Sequence, residues 1–157
     1  MPELAPLDEE RLAAVLARTL EDAAFVLAEP VAGGAGGFDG EVLEARLAWS
    51  GGGEGELRLA VSPALAASLA ANLLGVDEAP GRGEDALGEL ANMVAGVLVA
   101  DVYGAASSPR LGLPRVARKA AAAHLGERAE AALAVALVEE EGRRIEARVA
   151  PADRRRS

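Results

Sequence analysis

Two stretches of this chain alternate apolar residues across a turn, and that pattern narrows the possible folds more than any other feature. Leu133, Val135 and Leu137 recur at every second position, Glu141-Gly142-Arg143 turns, and Ile145, Ala147 and Val149 repeat the alternation. Side chains of a strand point to opposite faces with period two, so the pattern predicts a hairpin with one apolar face. An earlier pair has the same form. Leu43, Ala45, Leu47 and Trp49 alternate with Glu44, Arg46 and Ala48; Ser50-Gly-Gly-Gly-Glu-Gly turns; and Leu57, Leu59 and Val61 return. Two such hairpins make an antiparallel sheet whose apolar face needs a second layer over it.

The remaining segments supply that layer. Asp8-Glu9-Glu10 predicts a helix start, with a capping side chain and carboxylates in the first turn, where the helix dipole favours them. Leu12, Val15, Leu16, Leu20, Ala23, Val26 and Leu27 follow at helical spacing, and this helix is expected to end before Pro30. Ser62-Pro63 predicts an N-cap with proline at the first helical position, opening a second helix that runs to Leu74 and stops at Gly75. A third helix is expected over roughly 84 to 105. Beyond it Leu111-Gly-Leu-Pro-Arg-Val reads as extended, with Pro114 confining it to an edge or a strand start, while 117–129 is Ala-rich and helix-compatible without a clear stripe. The expected fold is α+β: two layers, a mainly antiparallel sheet with helices packed on one face. Residues 1–150 are expected to form one domain, and 151–157 a short basic tail ending in Arg154-Arg155-Arg156.

Composition limits the chemistry. Just over half of the 157 residues are hydrophobic, but only four are aromatic, so packing must rely on Leu, Val and Ala. A net charge of −9 argues against nucleic acid, because phosphate contacts need clustered Lys and Arg. With no cysteine there is neither a disulfide nor a thiolate zinc site, and His124, the sole histidine and an expected helix-end residue, cannot make a His-based metal site or triad. The first ten residues lack a signal-peptide pattern and no apolar run reaches the length of a membrane span, so a soluble cytoplasmic protein is expected. Gly33-Gly-Ala-Gly-Gly-Phe-Asp-Gly has neither the Gly-Lys-Ser/Thr nor the helix that a phosphate loop needs.

The third helix carries the candidate site. At about 100° per residue, Asp85, Glu89, Asn92 and Gly96 share one stripe, while Leu87, Leu90, Ala91, Val94 and Leu98 fill the opposite one. The chain has no glutamine and only two asparagines, and an asparagine inside a helix costs about half a kcal/mol relative to alanine. A carboxylate can pair with a cation, and a carboxamide can donate and accept hydrogen bonds from one planar group. The amide cannot be a general base, but it can hold a water in line for attack on phosphorus, as a glutamine does in small GTPases. Gly96 lowers the surface and lets another protein's backbone approach. Taken alone, the Glu-x-x-Asn pair is weak evidence for a site, because charged helix faces are usually only solvated. Trp49 suits the core or a dimer edge, Tyr103 lies near the Glu89 face and could border a partner, and Glu139-Glu-Glu suits a solvated strand end.

Asp85-x-x-x-Glu89-x-x-Asn92, followed by Leu113-Pro114 a little over twenty residues later, resembles the signature of the CheC/CheX/FliY phosphatases of bacterial chemotaxis. Asp-Ala-Leu-Gly-Glu-Leu-Ala-Asn-Met-Val-Ala-Gly is most similar to the CheX branch. The resemblance implies a phosphatase for the aspartyl phosphate of a CheY-like response regulator. In it Asn92 would position the hydrolytic water, Glu89 would pair with the partner's lysine, Asp85 would support or cap, and Pro114 would be structural. It implies no cofactor of the chain's own, with Mg2+ held by the partner receiver domain, and a homodimer. The matching place in the first helix reads Glu21-Asp22-Ala23-Ala24, with alanine where the asparagine would stand, so one site per chain is expected, as in CheX. The chain departs from the family where Arg115-Val-Ala-Arg-Lys replaces the usual glycine after Leu-Pro. The alternative is a non-catalytic module of the same fold, docking on a response regulator or serving as a structural signalling or flagellar-switch component.

Overall fold

The computed structural model describes residues 7–31, 38–50, 54–75, 82–104, 110–121 and 133–151. In chain order these form α1 (Glu9–Ala24), β1 (Ala28–Pro30), β2 (Glu41–Ser50), β3 (Gly55–Val61), α2 (Pro63–Leu74), α3 (Gly83–Tyr103), β4 (Arg110–Leu111), β5 (Arg115–Ala120), β6 (Leu133–Glu139) and β7 (Arg144–Pro151). The strands make one sheet in the order β1-β6-β7-β3-β2-β4, with β5 also on β2, and every pairing is antiparallel. The α+β expectation holds.

The register explains why the helices sit on one side. Leu137, Ile145, Val61 and Leu43 line up across β6, β7, β3 and β2, as do Val135, Ala147, Leu59 and Ala45, and then Leu133, Val149, Leu57 and Leu47. These apolar rows share one core with Leu12, Leu16 and Leu20 of α1, Leu65 and Leu69 of α2, and Leu87, Leu90, Val94 and Leu98 of α3. Shifting any strand by one residue would exchange that face for the charged one. Trp49 extends β2's apolar alternation opposite Gly55 and is buried in the core.

Two helix starts follow their local sequence. Asp8 accepts from the Arg11 amide at 2.8 Å, and Ser62 accepts from the Leu65 amide at 3.2 Å with Pro63 opening α2. The α2 helix ends at Gly75 in a left-handed conformation, as expected. The α1 helix ends before Pro30, as expected, but short of the apolar spacing that ran on through Val26 and Leu27. It stops at Ala24, and Phe25 turns left-handed with φ 55°, at a cost of about 1–2 kcal/mol for a residue with a Cβ. The cause is tertiary: Asn72 of α2 donates from Nδ2 to the Ala24 carbonyl at 2.7 Å, and the Val26 amide closes the turn on Leu20 at 3.1 Å. The freed segment becomes β1, paired with β6, where an edge position tolerates Pro30.

One open reading is decided in part and one expectation is corrected. Of the ambiguous stretch 117–129, Ala117–Ala120 belong to β5, which runs along Glu41–Arg46 of β2, and Ala121, the last described residue in it, is helical. Sheet hydrogen bonds and the ion pair from Lys119 to Glu44, at 3.0 Å, override the alanine content up to Ala120. Glu139 is not a solvated strand end but buried, accepting from the Glu141 and Arg143 amides and from the Arg143 guanidinium. His124, the Gly33–Gly37 stretch and the Arg154–Arg156 cluster lie outside the described residues. No helix among the described residues is long and apolar enough to cross a membrane.

Candidate functional site

The α3 helix is held from below and from one side. Leu87, Leu90, Ala91, Val94 and Leu98 are all buried, which fixes its rotation over β2 and β3. Asp85, Glu89 and Asn92 are consequently exposed on one stripe, with half-buried Gly96 a turn beyond Asn92. Helix geometry alone brings the four predicted residues together.

The flank next to Asn92 is braced by the segment joining β4 to β5. A Cβ placed on Gly88 would lie 3.4 Å from Pro114 Cγ, and one on Gly96 would lie 4.0 Å from Leu111 Cδ1. Gly88 and Gly96 are about 12 Å apart along the helix axis, so residues 111–114 run beside the stripe for two turns. Pro114 therefore packs against α3 at Gly88. The contribution of Gly88 was not anticipated. Its signal was available, because a glycine in mid-helix costs about 1 kcal/mol against alanine and calls for a packing reason.

On the opposite flank Met93 and Val97 form one wall of an open groove of about 850 Å³, with Ala14, Arg18 and Asp22 of α1 on the other. At its far end Arg11 of α1 bonds Asp101 of α3 at 3.2 Å. At the twin position on α1, Ala24 is fully buried, while Glu21 and Asp22 are exposed.

Electrostatically the stripe is open. Asp85 has a loose pair with Arg82 at 3.8 Å, both well exposed, and lies in the first turn of α3, where the dipole favours a carboxylate. It does not cap the helix; Arg82 is the cap residue and makes no side-chain cap bond. Neighbouring Glu84 faces Arg118 of β5 at 3.5 Å. Glu89 and Asn92 have no hydrogen bond or ion pair to any other side chain among the described residues. The other asparagine, Asn72, is engaged on Ala24. Among the described residues no three His, Cys, Asp or Glu lie close enough to hold a metal ion. The side chain of Tyr103, which ends α3, lies outside the described residues.

Such a stripe presents the Glu89 carboxylate and the Asn92 amide a turn apart on a braced helix. The family model described as chemotaxis phosphatase CheX matches residues 44–137. Among solved structures, the chain resembles the chemotaxis protein CheX of Desulfovibrio desulfuricans with a TM-score of 0.65 and 14% identity, over 91% of this chain and 97% of that one. It resembles the chain from the CheX–CheY–BeF3–Mg2+ complex of Borrelia burgdorferi with a TM-score of 0.64 and 15% identity, over 92% and 97%. FliY of Thermotoga maritima matches with a TM-score of 0.58 and 15% identity, over 96% and 92%. No curated protein matches significantly in sequence.

Proposed function

The chain belongs to the CheX family of chemotaxis phosphatases, and from that premise we propose that it hydrolyses the aspartyl phosphate of a CheY-like response regulator with the outward face of α3. The observation that carries the proposal is the state of Glu89 and Asn92: exposed, one turn apart, and unpaired among the described residues on a helix whose rotation is fixed. The fold of this chain is shared with the CheX chain of the Borrelia burgdorferi complex, which contains CheY, BeF3 and Mg2+. That supports a receiver domain as the partner and Mg2+ as the receiver's own ion.

In the proposed reaction α3 lies across the receiver's phosphorylation site. Asn92 accepts a hydrogen bond from a water through Oδ1 and donates through Nδ2, holding the water in line with the bond from phosphorus to the aspartyl oxygen. The water oxygen bonds to phosphorus, the P–O bond to the aspartate breaks, and its electron pair stays on the restored carboxylate. The water's protons leave with inorganic phosphate and solvent. Glu89 pairs with a receiver lysine and fixes the register of the two proteins. Asp85 and Gly96 support the approach, Gly96 by leaving room for a second backbone. A homodimer belongs to the same proposal.

Release of phosphate from a receiver domain in excess, phosphorylated by a small-molecule phosphodonor, tests it. Substoichiometric protein is expected to speed release over the receiver's own rate through many turnovers. Binding of the phosphorylated receiver without any acceleration would instead select the non-catalytic docking module.

A further inference from the structure

Among the described residues four large apolar side chains are exposed, and two of them, Leu113 and Val97, stand on opposite flanks of the Glu89–Asn92 stripe. Leu113 is 88% exposed. Its position is not that of a loose loop tip. The Gly112 amide before it donates to the Ala48 carbonyl at 2.7 Å, and a Cβ on Gly112 would stand only 3.2 Å from that oxygen. Pro114 after it rests on Gly88. A leucine held between two anchored residues yet turned to water contributes nothing to the core. Core packing gives it no role.

Its place explains it better. Gly88 is one helical turn, about 6 Å, from Asn92. A protein interface of ordinary size buries about 800 Å² on each partner, a patch roughly 16 Å in radius. A patch of that size centred on Asn92 extends past Gly88 and Pro114 to neighbouring Leu113. The stripe itself is acidic and polar, so it has little with which to exclude water from its own contacts. Apolar contacts at its flanks supply that exclusion.

We infer that Leu113, with Val97 on the other flank, is the apolar anchor of the docking surface, and that its occupant is the receiver domain whose phosphorylated face meets Asn92. The inference rests on the function proposed above and adds to it the residue that sets affinity for the receiver. Leu113 touches no reacting atom; it is a specificity-determining contact, and its loss is expected in KM rather than in kcat.

The test measures steady-state kinetics of the full chain on a phosphorylated CheY-like receiver domain, with thermal melting and light scattering on every variant. Leu113→Ala is expected to melt with the wild-type protein, to raise KM about tenfold, and to keep kcat within about twofold. Leu113→Met, still apolar, is expected to restore most of the affinity, and Leu27→Ala, an exposed leucine beside β1, to leave KM unchanged. Equal KM for Leu113→Ala and wild type would overturn the inference and leave the proposed function standing. A dimer lost in Leu113→Ala at unchanged KM would put a second copy on this surface and overturn it equally. Wild-type protein that neither binds nor turns over the receiver would overturn the function first and the anchor with it.

Discussion

The two faces that this molecule builds from charged residues treat their carboxylates in opposite ways. On the side of the sheet away from the helices, Glu44 is fully buried and held by Arg148 at 2.5 Å and Lys119 at 3.0 Å. Around it Arg144 bonds Glu146 at 2.7 Å, and Arg58 bonds Glu56 at 2.7 Å. On the outward stripe of α3, Glu89 and Asn92 face water with no side-chain partner among the described residues. A buried carboxylate without a cation is costly, so the sheet's charges are paired by necessity. The α3 stripe is under no such demand. Its polar groups stay open to water, and the contrast separates residues that hold the fold from residues that the fold does not use.

Breaking the paired face should cost stability first. Arg148→Ala leaves Glu44 buried without its closest cation and is expected to lower unfolding free energy by about 3–5 kcal/mol in urea titrations. The open face should behave in reverse. Asn92→Ala is expected to leave the denaturation midpoint unchanged or slightly raised, since alanine is the better helix former, while slowing phosphate release about a hundredfold.

Glu139 places the turn between β6 and β7 with the paired class. Burial pushes its carboxyl up, but hydrogen bonds from the Arg143 side chain and from the Arg143 and Glu141 amides, with the charge of Arg143, more than offset this and hold it below its ordinary value of 4.5. Its folded pKa is depressed, so its contribution is complete above the unfolded value and is lost as pH falls through the folded one. Glu139→Gln is expected to cost about 2 kcal/mol at neutral pH and to flatten the acid limb of a stability–pH curve below about pH 4.5. The smallest effect belongs to Asp85. Its exposed pair with Arg82 is worth less than about 1 kcal/mol, so Asp85→Ala should leave melting almost unmoved and phosphate release within about threefold of wild type.

Where a local rule governed, the chain was legible in its sequence. Ser62-Pro63 and Gly75 bounded α2, the alternation of Leu57, Leu59 and Val61 gave the strand face, and 3.6-residue spacing put Glu89 and Asn92 on one outward stripe. Long-range contacts decided the misses. Nothing near Ala24 announces that Asn72, forty-eight residues later, will terminate α1 and release β1. Alanine content without a stripe left 117–129 open between helix and strand, and the edge of β2, with Glu44 facing Lys119 on it, decided for a strand up to Ala120. Glu139 belongs to a run of three acids, and only the return of Arg143 across the turn makes the first of them structural. The site followed the same division. Its polar stripe could be read from periodicity, whereas the brace of Pro114 on Gly88 and the exposure of Leu113 required the fold.

The central claim is that an unpaired amide on α3 does chemistry on another protein. Decay of a phosphorylated CheY-like receiver in a single turnover, under a saturating excess of wild-type chain or of Asn92→Ala, tests it most directly. The expected result is fast decay with wild type, and decay close to the receiver's own rate with Asn92→Ala although the variant still binds and melts normally. Equal acceleration by the two proteins would contradict the account.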